Sequence, residues 1–339
     1  MEAIWLERID VRRRGLLQWA SLPLIPGMGS LVAHENACAQ EGPWPNRAVK
    51  VVVPYSAGGS ADTLGRIVTT GLTEAFKQAF VIENRGGAGG IIGSQLVAKA
   101  APDGYSLVIS GIGSHIIAPA ENPKSFDPVK DFTHIAILGG PPIALAINAA
   151  LPINDLKSFM EYAAKQNGGL SWGSPGKGTH GYLIGESFQA ATKTRLEHVG
   201  YKGAAPAMTD LIAGHISASF TTLSTASPHI HAGRLKLIAT TGSKRLKEFR
   251  DVPTFAELGY PKLTSTTWFS LSGPAGMPKA MVDLINKEVR KIMHSPQVLD
   301  QLAKVSMETY DWDVPKFNLY FASELKRWAP MVSAVTQDE

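Results

Sequence analysis

AVKVVVPYSAGGSADTLGRIVTTGLTEAF, residues 48–76, is the stretch on which the fold turns. Its first eight residues are β-branched and apolar, the composition of a buried strand. The loop SAGGSAD (56–62) follows. Leu64, Ile67, Val68, Leu72 and Phe76 then recur at helical spacing, so one face of the next segment is apolar. The same order repeats at once: FVIEN (80–84), the glycine loop RGGAGG (85–90), the helical IIGSQLVAKAA (91–101), the turn PDG and the strand YSLVISGI (105–112). Strand, glycine loop and helix in alternation predict a parallel α/β sheet with helical crossovers.

Further along, HIAILGGPPIALAIN (134–148) is apolar but broken by Gly-Gly-Pro-Pro at 139–142. Proline cannot pair inside a central strand, so the chain is expected to leave the first sheet there. A second alternation follows: a helix at 154–167, LSWGS (170–174), PGKGTHG, a helix at 182–192, HVGYK (198–202), a helix at 202–214, ISASF (216–220) and RLKLIATT (234–241). TSTTWFSLSGP (264–274) is strand-like, and the remainder is helical at 278–293, 296–303 and 314–334. The expected fold class is α/β with two lobes. The first lobe takes residues 40–142 and 243–339, the second 143–242. A two-segment hinge near 139–146 and 239–243 and a cleft between the lobes complete the picture. Two crossings of this kind suggest a protein that closes on a solute.

The 339 residues are long enough for two domains. At 18% charged and 44% hydrophobic residues, a disordered chain is excluded. The formal charge of +4 is spread thinly, with no run of five basic residues, which argues against a nucleic-acid surface. The single cysteine, Cys38, excludes a disulfide framework and a cysteine-based metal site. Residues 12–18, RRRGLLQ, an apolar stretch too broken to span a bilayer, and Ala37-Cys38-Ala39 read as an export signal, either of twin-arginine type or an ordinary secretory signal with an extra arginine. Cleavage after Ala39 leaves a mature chain beginning at Gln40, located in the periplasm and free of cysteine. Glu35 stands where a lipid-anchor signal at Cys38 requires a small apolar residue.

Several motifs compete for a chemical role. GKGTHG (176–181) matches G-x-G-x-x-G, with Glu197 about twenty residues on, the outline of a dinucleotide site. The preceding strand is short and polar, and Glu197 precedes its strand rather than ending it, so no cofactor is assigned. Neither a P-loop nor G-x-S-x-G occurs. His229 and His231 are the closest histidine pair, a spacing that does not share a helix face, and no metal site is assigned. The glycine loops say more. SAGGSAD and SPGKGTHG each end on a helix, where unpaired amides and the macrodipole attract an anion. On separate lobes, the two ends are placed to grip one carboxylate. Asp62 reads as a capping carboxylate that accepts loop N–H bonds and orients the loop.

VVVPYSAGGSAD, VIENRGGAGGIIGSQLVAKAAPDGYSLVIS, DPVKDF, WGSPGKGTHGYLIGESF, YKGAAPAMTDLIAGHI, DVPTFAELGYP, TTWFSLSGPAGMPK and VDLINKEV together resemble the Bug-type extracytoplasmic solute receptors of tripartite tricarboxylate transporters. The resemblance covers nearly all of residues 45–330. It implies a type II periplasmic-binding-protein fold, a small carboxylate as ligand, held by the two strand–loop–helix motifs partly through ordered waters, and a membrane permease or a sensor as partner. By position it implies ligand-binding roles for Tyr55, Ser56, Ala57, Gly58, Gly59 and Asp62 in the first loop, and for Ser110 and Ser114 after the third strand. In the second-lobe loop it implies Ser174, Gly176, Gly178, Thr179 and His180. RGGAGG stands where the family has RPGAGG, a tolerable change, and two further departures bear on the ligand. Phe220-Thr221-Thr222 replaces a common Phe-Asp, which removes an acidic group near Thr222 and disfavours an amino-bearing ligand. Lys177 stands where many relatives are neutral, and either selects a second acidic group or points to solvent. The expected protein is a non-catalytic monomeric receptor. The competing reading is an exported α/β enzyme acting on a carboxylated substrate, for which no nucleophile–base pair is evident.

Overall fold

Residues 43–337 are described in a computed structural model; the export segment and the cleavage site expected before residue 40 lie outside them. The first sheet begins as the sequence implies: β1 (Val49–Val53), α1 (Ser60–Phe76), β2 (Phe80–Asn84), α2 (Ile91–Ala98) and β3 (Ser106–Gly111). β1 pairs in parallel with β2 and β3, as helical crossovers require. A π-helical turn, Gly113–Ile117, and the short α3 (Ala118–Glu121) lead to β4 (Phe132–Gly139). The Gly-Gly-Pro-Pro break then ends β4, and β5 (Ile143–Asn148) opens in the other sheet.

The second sheet is built from β5, α4 (Leu156–Ala164), β6 (Leu170–Ser174), α5 (His180–Thr192), β7 (Leu196–Gly200), α6 (Ala204–Ala213), β8 (Ala218–Thr222), α7 (Leu223–His231) and β9 (Leu235–Thr240). The chain returns to the first sheet as β10 (Phe269–Pro274), then closes with α8 (Lys279–Met293), α9 (Pro296–Ala303) and α10 (Val314–Gln337). Strand orders are β2-β1-β3-β10-β4 and β7-β6-β8-β5-β9. Each five-stranded sheet therefore has four parallel strands and one antiparallel strand supplied just after a crossing, β10 in one and β5 in the other.

Two cores lie on these sheets. Val51, Leu64, Leu72, Ile109 and Ile285 belong to the first, and Leu145, Phe159, Trp172, Phe188 and Phe220 to the second. Phe255 and Leu263 also pack in the second core, so the segment 243–263 sits with the second lobe rather than the first. The return crossing is accordingly at 264–268, not 239–243. A backbone bond from Thr267 N to Pro141 O ties it to the outgoing crossing, and one from Ser265 N to Thr241 O ties it to the end of β9. A third core joins Ile112, Ile116 and Ile117 to Leu183 of α5 and to Phe317, Phe321 and Trp328 of α10, so α10 touches both lobes. Among the described residues, no helix is long and apolar enough to cross a membrane.

Candidate functional site: the cleft between the lobes

The first loop is shaped by Gly58 and Asp62. Gly58 has φ +86, a conformation that favours glycine. Its amide donates to Asp62 Oδ2 at 3.0 Å, while Arg66 Nε (2.9 Å) and Asn84 Nδ2 (3.0 Å) donate to the same carboxylate. Burial raises the carboxyl's pKa, but the bonds from Arg66, Gly58 and Asn84 outweigh it, and the net direction is downward. Both Asp62 oxygens are thus engaged within the loop and helix. Gly59 is the N-cap of α1 and offers no side chain to its first turn, so the amides of Ser60 and Ala61 have no intrahelical acceptor.

The second loop repeats the construction with different atoms. Ser174 Oγ accepts from the Gly176 amide (3.1 Å) and bonds His198 Nε2 (2.8 Å). Thr179 is the N-cap of α5; its Oγ1 donates to Gly176 O at 2.6 Å and accepts from the Tyr182 amide at 3.3 Å. Gly178 (φ +76) lets this loop approach the first lobe, where a Cβ on it would lie 2.9 Å from Ala118 Cβ, while Gly176 (φ +127) lies close against Tyr201 O of its own lobe. His180 opens α5 and is buried. Its Nδ1 and Nε2 lie 2.5 Å from Thr267 Oγ1 and 3.1 Å from Ser265 Oγ. Burial, aided by the positive Arg327, holds its pKa down at about 3, so the ring is neutral.

Between these loops lies a cavity of about 50 Å³. Of the residues singled out in the sequence, Tyr55, Gly59, Thr179, His180 and Thr222 line it. Burial pushes the Tyr55 hydroxyl up to about 12, against the opposing hydrogen bonds to Ser114, so it remains a neutral group at the wall. Ser60 Oγ reaches across to Thr222 Oγ1 (2.7 Å) and Ser224 Oγ (2.5 Å), and the Ser56 amide donates to Lys202 O (3.0 Å). The lobes are therefore in contact around the cavity.

The other named residues stand back from it. Ser110 is buried beneath the wall, bonded to Ser270 Oγ (2.7 Å) and Ser272 Oγ (2.6 Å). Ser114 is buried against His115 Nδ1 at 3.0 Å. Ser56, Ala57 and Gly58 form the loop rim, with Ala57 and Gly58 exposed. Lys177 is exposed, with its Nζ 5.9 Å from the Tyr182 ring centre, in a separate recess shared with Glu121. Asp62, Ser110, Ser114, Ser174, Gly176, Gly178 and Lys177 do not line the cavity: the polar groups of Asp62, Ser110, Ser114, Ser174 and Gly176 are hydrogen-bonded within the protein, and Lys177 is exposed.

The wall also holds residues that the sequence reading passed over. Ser60, Ala61, Gly113, Gly181 and Ala204 bring backbone, while Ile112, Ile143 and Phe269 bring apolar surface. Ala204 begins α6 after YKG, a third glycine-to-helix junction legible in the sequence. Thr267 carries no local signal; only the return crossing places it opposite His180. No lining residue is Asp, Glu, Lys or Arg among the described residues. Such a wall can meet an anion only with amides, hydroxyls and helix dipoles.

Residues 64–336 match the family described as tripartite tricarboxylate transporter family receptor. The protein BugT of Bordetella pertussis is 29% identical over 291 residues, covering 85% of this chain and 89% of BugT. The solved structure of MatC from Rhodopseudomonas palustris with bound malate superposes with a TM-score of 0.81 at 30% identity, covering 85% of this chain and all of MatC. An R. palustris protein with adipate gives 0.82 at 30% identity, covering 87% of this chain and 98% of its own. These likenesses establish the two-lobed type II periplasmic-binding fold. With the family model matching residues 64–336, well over half of the chain, the chain belongs to the receptor family of the tripartite tricarboxylate transporters.

Proposed function

We propose that this receptor captures a small organic carboxylate in the cleft and presents it to an integral-membrane permease. The observation that carries the reading is the uncharged cavity framed by the first turns of α1 and α5 on opposite lobes. Free amides at helix starts and the dipoles behind them supply about half a positive charge each, which suits a carboxylate without a counter-cation. The adipate and malate held by the two solved relatives are the first ligands to test. We take the lobes to move about the paired crossings at 139–143 and 264–268, and the mature periplasmic chain to begin at Gln40.

A thermal-shift screen with calorimetry tests this. Adipate, malate or a related acid at 100 times its dissociation constant is expected to add about 2.7 kcal/mol of stability. No shift with any small mono-, di- or tricarboxylate overturns the reading. N-terminal sequencing of periplasmic material is expected to start at Gln40; recovery of a lipid-modified Cys38 from membranes contradicts it.

A further inference from the structure

Glu324, on α10, is 3% exposed, and both neighbouring indoles point at it. Trp268 Nε1 and Trp328 Nε1 each donate to Glu324 Oε2 at 2.9 Å, and Arg327 Nη1 donates to Oε1 at 3.3 Å. An indole N–H is a donor only, so removal of the carboxylate strands two buried donors in the core between the lobes. What those donors support is the cavity wall. Trp328 packs edge-on against His180 at 4.9 Å between ring centres. Trp268 ends the return crossing, whose Ser265 and Thr267 hold the two His180 nitrogens. Arg327 Nη2 also donates to Thr264 O, at the start of that crossing, at 3.1 Å. His180 is thus held from two sides by residues that converge on one carboxylate outside the cavity.

We propose that Glu324 is a positioning residue for ligand binding: by clasping Trp268 and Trp328 it fixes the crossing 264–268 and the His180–Thr267 pair at the cavity wall. This rests on the receptor reading given above. A leucine at 324 keeps packing volume but accepts no hydrogen bond. A glutamine keeps one oxygen for the indoles.

The experiment measures calorimetric affinity for malate and adipate, with the ligand-induced change in tryptophan emission. Glu324→Leu is expected to weaken binding about tenfold or more, the scale of losing hydrogen bonds to a charged group, and to abolish the emission response. Glu324→Gln is expected to recover most of both. Phe159→Leu, in the second core away from the cleft, serves as the stability control; it is expected to lower Tm with affinity held within about twofold, as a site away from the ligand should. Glu324→Leu binding like wild type, or losing no more affinity than Phe159→Leu at an equal fall in Tm, overturns the proposal. Should Glu324→Leu not fold, Trp268→Phe removes one donor and keeps a ring; wild-type affinity and emission response in that variant likewise overturn it. If wild type binds neither these acids nor any other carboxylate, the receptor reading falls and this role falls with it. Normal wild-type binding with unaffected variants removes the positioning role alone.

Discussion

Asp62 and Lys177 are two charged residues of the cleft loops with opposite fates. Asp62 is 4% exposed and accepts from Gly58, Arg66 and Asn84, so its charge is spent on holding the loop that begins α1. Asp62→Ala is expected to lower stability by about 1–2 kcal/mol, the upper range for losing a cap, and to weaken ligand binding with it. Calorimetric melts and titrations check both; unchanged melting and affinity contradict the role. Its pKa is lowered on folding, so this contribution is present above the unfolded value near 3.9 and is lost as pH falls through the folded one. Lys177 precedes Gly178, which faces the other lobe, yet its side chain turns outward over Tyr182. An exposed ammonium contributes about 0–1 kcal/mol to any ion pair. Lys177→Met is therefore expected to shift a diacid and its monoamide equally and by less than about threefold. A selective loss for the diacid shows that Lys177 turns inward with ligand bound.

At the scale of elements, the π-helical turn after β3 and the helix starts set the shape of the cavity. Gly113 begins that turn, and a Cβ there would lie 2.8 Å from the Tyr55 hydroxyl and 3.3 Å from Thr179 Cα across the cleft. Gly113→Ala is expected to leave the separate cores intact but to hold the lobes apart. Ligand affinity should drop about tenfold or more, in line with over-packing costs of 1–3 kcal/mol, while Tm without ligand changes little. Equal affinity in that variant shows that the seam opens without cost. The glycine loops and most helix spans were legible because 3.6-residue periodicity and loop glycines are local. Others were not. α7 runs through Leu-Ser-Thr-Ala-Ser-Pro, with no apolar stripe to betray it, and Pro228 sits inside it. β7 begins at Leu196, before the apolar pattern around Val199, because its register follows β6.

For the whole molecule, α10 packs against both lobes and the paired crossings join them, so the proposed hinge motion has a direct test. Ligand is expected to reduce the radius of gyration in small-angle scattering; an unchanged radius at calorimetric saturation argues against hinge motion. Acid stability is also a property of the whole fold. His115, His134 and His180 are all buried, and burial lowers each pKa, well below normal for His115, to about 4 for His134 and to about 3 for His180. Below the unfolded value near 6.5 the unfolded chain binds more protons, so stability falls as pH drops, by about 1.4 kcal/mol per unit for each histidine still neutral in the fold. Melting curves between pH 7.5 and 5 are expected to show this fall, and His134→Gln to make it shallower. A flat profile contradicts the buried neutral histidines.

Local chemistry alone determined the alternating strands and helices, the break at Gly139–Pro142 and the two glycine loops with helix starts behind them. Each depends on residues a few positions apart, where spacing decides the outcome. Tertiary structure decided the rest. The return crossing lies at 264–268 because Phe255 and Leu263 find their apolar partners in the second core, across a sheet that no local pattern specifies. Ser110 and Ser114 face into the protein because Ser270, Ser272 and His115 offer them hydrogen bonds there. Thr267 reaches His180 from 87 residues away, and Thr222 meets Ser60 from 162 residues away. Such pairings arise from the packing of two lobes and one helix, and only the folded chain reveals which side chains share a wall.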